Sequence, residues 1–163
     1  MKGSRIVENR EQGDKMSITN NPRAYHDYFI EDKFEAGIVL EGWEAKAIRA
    51  GKVSIKEAYV KPLNGEIFVI GMHVAPLIMA ATHEKHDTTR TKKLLLNKRE
   101  IDKIIGKITL SGYTIVPLSV YLSKGKIKVE IGLAKGKKMH DKRNDEKDRD
   151  WQRDKDRIIK KSR

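Results

Sequence analysis

Two pairs of neighbouring side chains in this chain have the types that do chemistry: His83 with His86, and His26 with Asp27. The first pair sits in His83-Glu84-Lys85-His86, and the second lies between Tyr25 and Tyr28. Imidazoles grouped with further donors bind zinc, and an imidazole beside a carboxylate can serve as a general acid–base. Neither pair is completed. No third ligand type is grouped with the two histidines, and their spacing is not that of His-Glu-x-x-His. A hydrogen-bonding or stacking role beside a strand start is the commoner use of a pair such as His26 and Asp27. No Gly-x-x-x-x-Gly-Lys-Ser/Thr or Gly-x-Ser-x-Gly element occurs. The absence of cysteine excludes disulfides, Cys-based zinc sites and a thiol nucleophile. The expectation is a protein without catalytic residues, metal or cofactor.

The positive charges carry more information. The chain has 35 Lys+Arg against 23 Asp+Glu, a formal net charge of +12, which favours a polyanionic partner. One cluster combines Arg90, Lys92 and Lys93 with Lys98 and Arg99, after Asp87-Thr88-Thr89. It reads as a loop feeding a helix, a place from which to track phosphates. The densest patch is Gly136-Lys137-Lys138-Met139-His140-Asp141-Lys142-Arg143, where His140 adds a flat ring able to stack on a base. Beyond it, acids stand N-terminal to bases at helical spacing, in Asp145 with Arg149, Asp150 with Arg153 and Asp156 with Lys160. Trp151 and Ile158 would share one face of that helix. Each charge pair adds only about 0.2–0.5 kcal/mol, so helicity in the free tail is marginal.

Three zones must position these groups. Residues 1–19 form a polar arm expected to be disordered. Residues 20–133 hold nearly all the aliphatic residues. Residues 134–163 form a basic tail with too few apolar anchors to offset an ordering cost of roughly 1–2 kcal/mol per residue. In the middle zone, alternation predicts a strand over 34–40, with Phe34, Ala36, Ile38 and Leu40 on one face. A short helix over 44–50 ends at Gly51. Strands over 53–60 and 67–74 flank the turn Asn64-Gly65. Asn97 and Glu100 form a capping box for a helix whose stripe is Ile101, Ile104 and Ile105, with Gly106 as its stop. Strands over 113–122 and 126–133 form a second hairpin, with Ile127, Val129, Ile131 and Leu133 facing in. The sum is a β-rich chain: an OB-fold-like barrel with two or three short flanking helices and a disordered basic tail. No apolar run approaches the roughly 20 residues of a membrane span, and no signal sequence is apparent, so a cytoplasmic protein is expected. On these grounds alone, an OB-fold ribosomal protein with a basic extension remains an alternative.

Several ordered blocks resemble the SmpB family, the SsrA-binding proteins that partner transfer-messenger RNA in bacterial trans-translation. They are His26-Asp27-Tyr28-Phe29-Ile30, Glu35-Ala36-Gly37, Gly42-Trp43-Glu44-Ala45-Lys46, Lys93-Leu94-Leu95-Leu96, and Gly132-Leu133-Ala134-Lys135-Gly136-Lys137-Lys138 through Asp141-Lys142-Arg143. The resemblance implies an OB-fold barrel that binds the tRNA-like domain of transfer-messenger RNA and enters stalled ribosomes with elongation factor Tu. It further implies a tail that folds as a helix in the vacant mRNA path. By position it assigns RNA binding to Asn21, His26 and Glu35, with Lys128 near a fourth such position. It gives Asp141, Lys142 and Arg143 a role in accommodation and tagging, and His140 a stacking role near the decoding centre. Trp151, Ile158 and Ile159 match the helical tail, and Lys135, Gly136, Lys137 and Lys138 join its ribosome-facing segment. Pro22 departs from the family, which usually has a basic residue there. A monomer is expected.

Overall fold

The computed structural model describes residues 15–77, 85–110 and 112–137, and within the tail 143, 147, 149 and 151–153. In chain order the elements are β1 (Lys15–Asn20), α1 (Pro22–Asp27), β2 (Tyr28–Ile38), α2 (Gly42–Arg49), β3 (Val53–Ser54), β4 (Tyr59–Leu63), β5 (Glu66–Ile70), β6 (His73–Val74), β7 (Lys92–Leu95), α3 (Lys98–Thr109), β8 (Tyr113–Ser123) and β9 (Lys126–Gly136). Seven strands form one antiparallel sheet in the order β1-β8-β9-β2-β7-β5-β4, and β3 pairs with β6 separately. The sheet curls until β4 packs against β8, yet no ladder joins its edge strands, so the OB-like barrel is partly open.

The alternating pattern places the core. Ile127, Val129, Ile131 and Leu133 of β9 are all buried, with Phe34 and Ala36 of β2 and Leu94 of β7. They join one cluster with Ile48 of α2 and Ile104 of α3. Asn64 and Gly65, at φ 51° and 76°, close the β4–β5 hairpin with both central residues left-handed, as a two-residue turn of the favoured hand requires. Lys124 and Gly125 do the same between β8 and β9.

Several boundaries differ from those the sequence predicts. The strand expected over 34–40 begins earlier, at Tyr28, because a register shift between Ile30 and Asp32 lets β2 continue past its break in alternation. The two strands expected over 53–60 and 67–74 are each broken. Ala58 N–H turns back to the Ile55 carbonyl at 3.1 Å, which drops Ile55 into the core. Opposite that turn, Gly71 takes φ 79°, with the Glu57 carbonyl oxygen 3.0 Å from where a Cβ would stand. Gly106 does not stop α3. Ile108 beyond it packs on the core, and that burial offsets the roughly 1 kcal/mol cost of a mid-helix glycine.

The zone boundaries move as well. Lys15–Asn20, of which all but Asn20 lie in the arm expected to be disordered, pairs with β8 as β1. At the other end β9 continues through Gly136, and Ala134 is fully buried. Sheet pairing there needs no large side chains, so composition alone placed the tail three residues early. Residues 1–14 lie outside the described residues. In the tail, Arg143, Lys147, Arg149 and residues 151–153 are helical and exposed, so the helix pattern is expressed there without burial against the barrel.

Candidate RNA-binding surface

The outer face of the sheet is built by register. Ser17, Tyr121, Lys128, Gly37 and Leu95 lie side by side across β1, β8, β9, β2 and β7. In the next row Ser119, Glu130 and Glu35 are neighbours. The Tyr121 hydroxyl donates a short hydrogen bond to Glu35 Oε2, and Lys15 Nζ lies 3.7 Å from the same oxygen. Burial, reinforced by the hydrogen bond and charge of Glu35, pushes the Tyr121 phenol well above its ordinary pKa. Glu35 is thus held as an oriented acceptor, suited to base amino groups or 2′-hydroxyls.

Beside it, glycine at 37 leaves a low floor between Lys128 and Leu95; a Cβ there would come within 3.2 Å of Leu95 Cβ. Leu95 is 51% exposed, unusual for a leucine at mid-sheet. A cavity of about 390 Å³ opens here, lipped by Arg49, Lys126 and Lys128. Arg49 Nη2 is positioned by a 3.2 Å hydrogen bond to the Gly125 carbonyl. Leu95, Arg49 and Lys126 are not among the site residues expected from the sequence. Strand alternation supplied the signal for Leu95, since burying Leu94 necessarily turns Leu95 outward.

Helix α1 carries the next two candidates onto the same outer face. Pro22 occupies its first turn, where a missing N–H costs nothing. Ala24 seats the helix on Val116, Leu118 and Ala134. Asn21 is fixed twice to β8, through its side-chain amide to the Pro117 carbonyl at 2.9 Å and through its N–H to the Leu118 carbonyl at 2.8 Å. His26 Nδ1 lies 3.0 Å from Asp27 Oδ1, which orients the ring. Arg23 approaches the other Asp27 oxygen at 3.6 Å. Glu35 and Lys128 therefore share one face, and α1, which follows Asn21 and carries His26, packs on that same face through Ala24.

The basic cluster before α3 is divided by the structure. Lys92 is fully buried, its ammonium 3.3 Å from Glu44 Oε2 and donating to the Arg90 carbonyl at 2.7 Å. As a phosphate ligand it is corrected to a core residue, because β7 alternation points it inward with Leu94. Burial pulls its ammonium below the ordinary lysine pKa, against the opposing pull of Glu44. Arg90 is largely committed too, reaching Glu44 Oε1 at 2.5 Å and the Val39 carbonyl at 3.2 Å. Burial alone would raise the Glu44 carboxyl. Hydrogen bonds from Arg90 and the Glu41 N–H, with the Lys92 and Arg90 charges, outweigh it and hold Glu44 below the usual carboxylate range. Lys93 faces outward, paired with Glu66 at 2.8 Å.

The tail root is also ordered. Lys135 and Gly136 belong to β9, and the Lys137 N–H bonds the Asp27 carbonyl at 2.9 Å. Lys137 Nζ reaches the Tyr25 carbonyl at 3.1 Å, a cation placed at the end of α1. Among the described residues, Arg143 and Trp151 are exposed helical residues. Lys138, His140, Asp141, Lys142, Ile158 and Ile159 lie outside the described residues, as does His83. His86 stacks on Trp43, with ring centroids 4.3 Å apart, and no group of three metal-binding side chains occurs among the described residues.

A partly open OB-like barrel with a basic, aromatic-bearing face defines the class of small β-barrel nucleic-acid-binding proteins. The sequence model of the family described as SmpB protein matches residues 18–161. This chain belongs to the SmpB family. It is 61% identical over 145 residues to the SsrA-binding protein of Thiobacillus denitrificans, covering 89% of this chain and 97% of that one. It is 60% identical to the SsrA-binding protein of Nitrosospira multiformis, covering 89% and 99%. A solved structure described as "tmRNA-SmpB: a journey to the center of the bacterial ribosome" matches with a TM-score of 0.61 and 40% identity, over 74% of this chain and 85% of that one. Among the described residues, no helix is long and apolar enough to cross a membrane.

Proposed function

We propose that this protein binds the tRNA-like domain of transfer-messenger RNA and delivers it to stalled ribosomes for trans-translation, with the tail occupying the vacant mRNA path. The observation that carries the reading is the outer face shared by Glu35 and Lys128, on which α1 with its flanking Asn21 and its His26 packs, in a chain of the SmpB family. On that face Glu35 and His26 supply oriented polar groups, while Lys128, Lys126 and Arg49 supply phosphate contacts. Lys93 extends the basic edge, and Arg90 contributes through the position of its loop. The barrel is the RNA-binding unit and the residues after Lys137 are the ribosome-reading unit. Within the latter, His140 stacks near the decoding centre, Lys138, Asp141, Lys142 and Arg143 act in accommodation, and Trp151, Ile158 and Ile159 line the tail helix. The protein works in the cytoplasm as a monomer without catalytic residues, and elongation factor Tu joins the delivered complex.

The test is a comparison of affinities. The tRNA-like domain is expected to bind more tightly than an elongator tRNA of equal length. About 5 phosphate contacts would give a log–log salt slope of roughly −3.5 to −4.5. Equal affinity for both RNAs at moderate salt would remove the reading.

A further inference from the structure

A second surface lies at the root of the tail, on the opposite side of the sheet. The register shifts in both ladders of β9 put the extra residue on β2 and on β8, so β9 itself alternates without interruption and Glu130 and Lys135 point to opposite faces. Glu130 shares the face of Glu35, and Lys135 therefore faces away from it. Phe29 and Tyr113 are the cross-strand partners of Lys135, one on each side. The register shift between Ile30 and Asp32 is what turns Phe29 into this row. The result is two aromatic residues on strands two spacings, about 10 Å, apart, with Lys135 on the strand between them.

The charge around these rings is dense. Lys135 Nζ lies 4.6 Å from the Tyr113 centroid, Lys107 Nζ lies 5.2 Å from the same ring, and Lys137 Nζ lies 4.9 Å from Phe29. Phe29 is 49% exposed, and a cavity of about 340 Å³ is lined by Phe29, Tyr113 and Lys135, with Ile30 and Glu31 at its edge. An exposed phenylalanine gains little from the hydrophobic effect, and three lysines around two rings carry a concentrated positive field. Exposed rings inside a positive field match the chemistry of single-stranded RNA, whose bases stack on any ring while its phosphates follow the lysines. An acidic peptide would meet the charge but leave the flat faces unused.

We propose that Phe29 and Tyr113 form a stacking site for an unpaired RNA base, with Lys107, Lys135 and Lys137 neutralising the flanking phosphates. The inference rests on the reading of this chain as an RNA-binding protein. It adds a single-strand site where the tail leaves the barrel, separate from the face of Glu35 and Lys128.

The experiment uses the full chain and three probes: octauridine, an abasic octamer with the same phosphates, and the tRNA-like domain. Affinities are read by fluorescence anisotropy at about 0.1 M salt, where surface charges are already partly screened. Octauridine carrying 5-iodouridine is expected to photocrosslink to Phe29 or Tyr113. Phe29→Leu is expected to weaken octauridine roughly 5- to 150-fold, while Tyr113→Phe, which keeps the ring, leaves it unchanged. Because Tyr113 also packs partly against the core, Tyr113→Leu is accompanied by a melting curve, and the half-exposed Phe29 variant decides. An abasic octamer binding as tightly as octauridine would overturn the stacking site, as would an unchanged Phe29→Leu. Octauridine failing to bind while the tRNA-like domain binds tightly overturns this site alone. Failure of both RNAs overturns the RNA-binding reading with it.

Discussion

Replacing Glu44 and Lys92, singly and together, separates a structural role for Lys92 from a role in RNA binding. Both side chains are fully buried, and Lys92 has Glu44 as its counter-charge at 3.3 Å. Glu44→Gln leaves a buried ammonium with only neutral partners, a cost of about 3–5 kcal/mol. At roughly 3–5 °C per kcal/mol for a domain of this size, Tm should fall by on the order of 10–20 °C. Lys92→Met is milder, because Arg90 still holds Glu44 at 2.5 Å. Its main loss is the hydrogen bond to the Arg90 carbonyl, worth about 1–3 kcal/mol when left unmade. The double variant removes both buried charges and should be less destabilised than the sum of the singles, with a coupling of about 1 kcal/mol or more. Urea unfolding measures all three. Lys92→Met that melted like the parent, yet bound RNA tenfold more weakly with a salt slope flatter by about 1, would refute the structural assignment.

The same carboxylate gives a pH signature. Glu44 is held below its unfolded pKa, so its stabilisation is present above about pH 5 and is lost as pH falls through about 4 toward the folded value; the urea midpoint of Glu44→Gln should lack that part of the acid slope. Burial and Glu35 raise the Tyr121 phenol strongly, and absorbance near pH 11 should show it still protonated in the folded protein. Tyr121→Phe should free the Glu35 carboxylate and weaken tRNA-like-domain binding more than it lowers Tm, as measured by anisotropy and calorimetry side by side. Gly132→Ala would set a Cβ 2.9 Å from Leu118 Cδ1 and 3.0 Å from Ile30 Cγ2, and should cost about 1–3 kcal/mol in urea unfolding as α1 is pushed off the sheet. Truncation after Lys137 should preserve binding to the tRNA-like domain and abolish peptide tagging; loss of RNA binding in that variant would refute the division of labour.

Much of the fold was legible because it rests on local rules. The capping box of Asn97 and Glu100, the Asn64-Gly65 turn and the alternation of β9 each act within a few residues, and each appears as written. What the sequence hid depends on contacts far along the chain. β1 exists because β8 offers it an edge, and Ala134 is core because α1 folds over it. Lys92 looked like a phosphate ligand because a buried cation is rare, and its counter-charge lies 48 positions away at Glu44, on α2. The candidate site was legible in part. Glu35 and Lys128 follow from alternation and family position, and alternation also turns Leu95 outward, whereas its place beside Gly37 and the approach of Arg49 come only from sheet register and helix packing.

The central claim is tested most directly by the RNA that copurifies with the full chain from its native cells under mild salt. Transfer-messenger RNA is expected to dominate, with the protein sub-stoichiometric on ribosomes and rising when translation stalls. A fixed one-to-one presence on all ribosomes, without enrichment of transfer-messenger RNA, would contradict the account and mark the chain as a ribosomal protein.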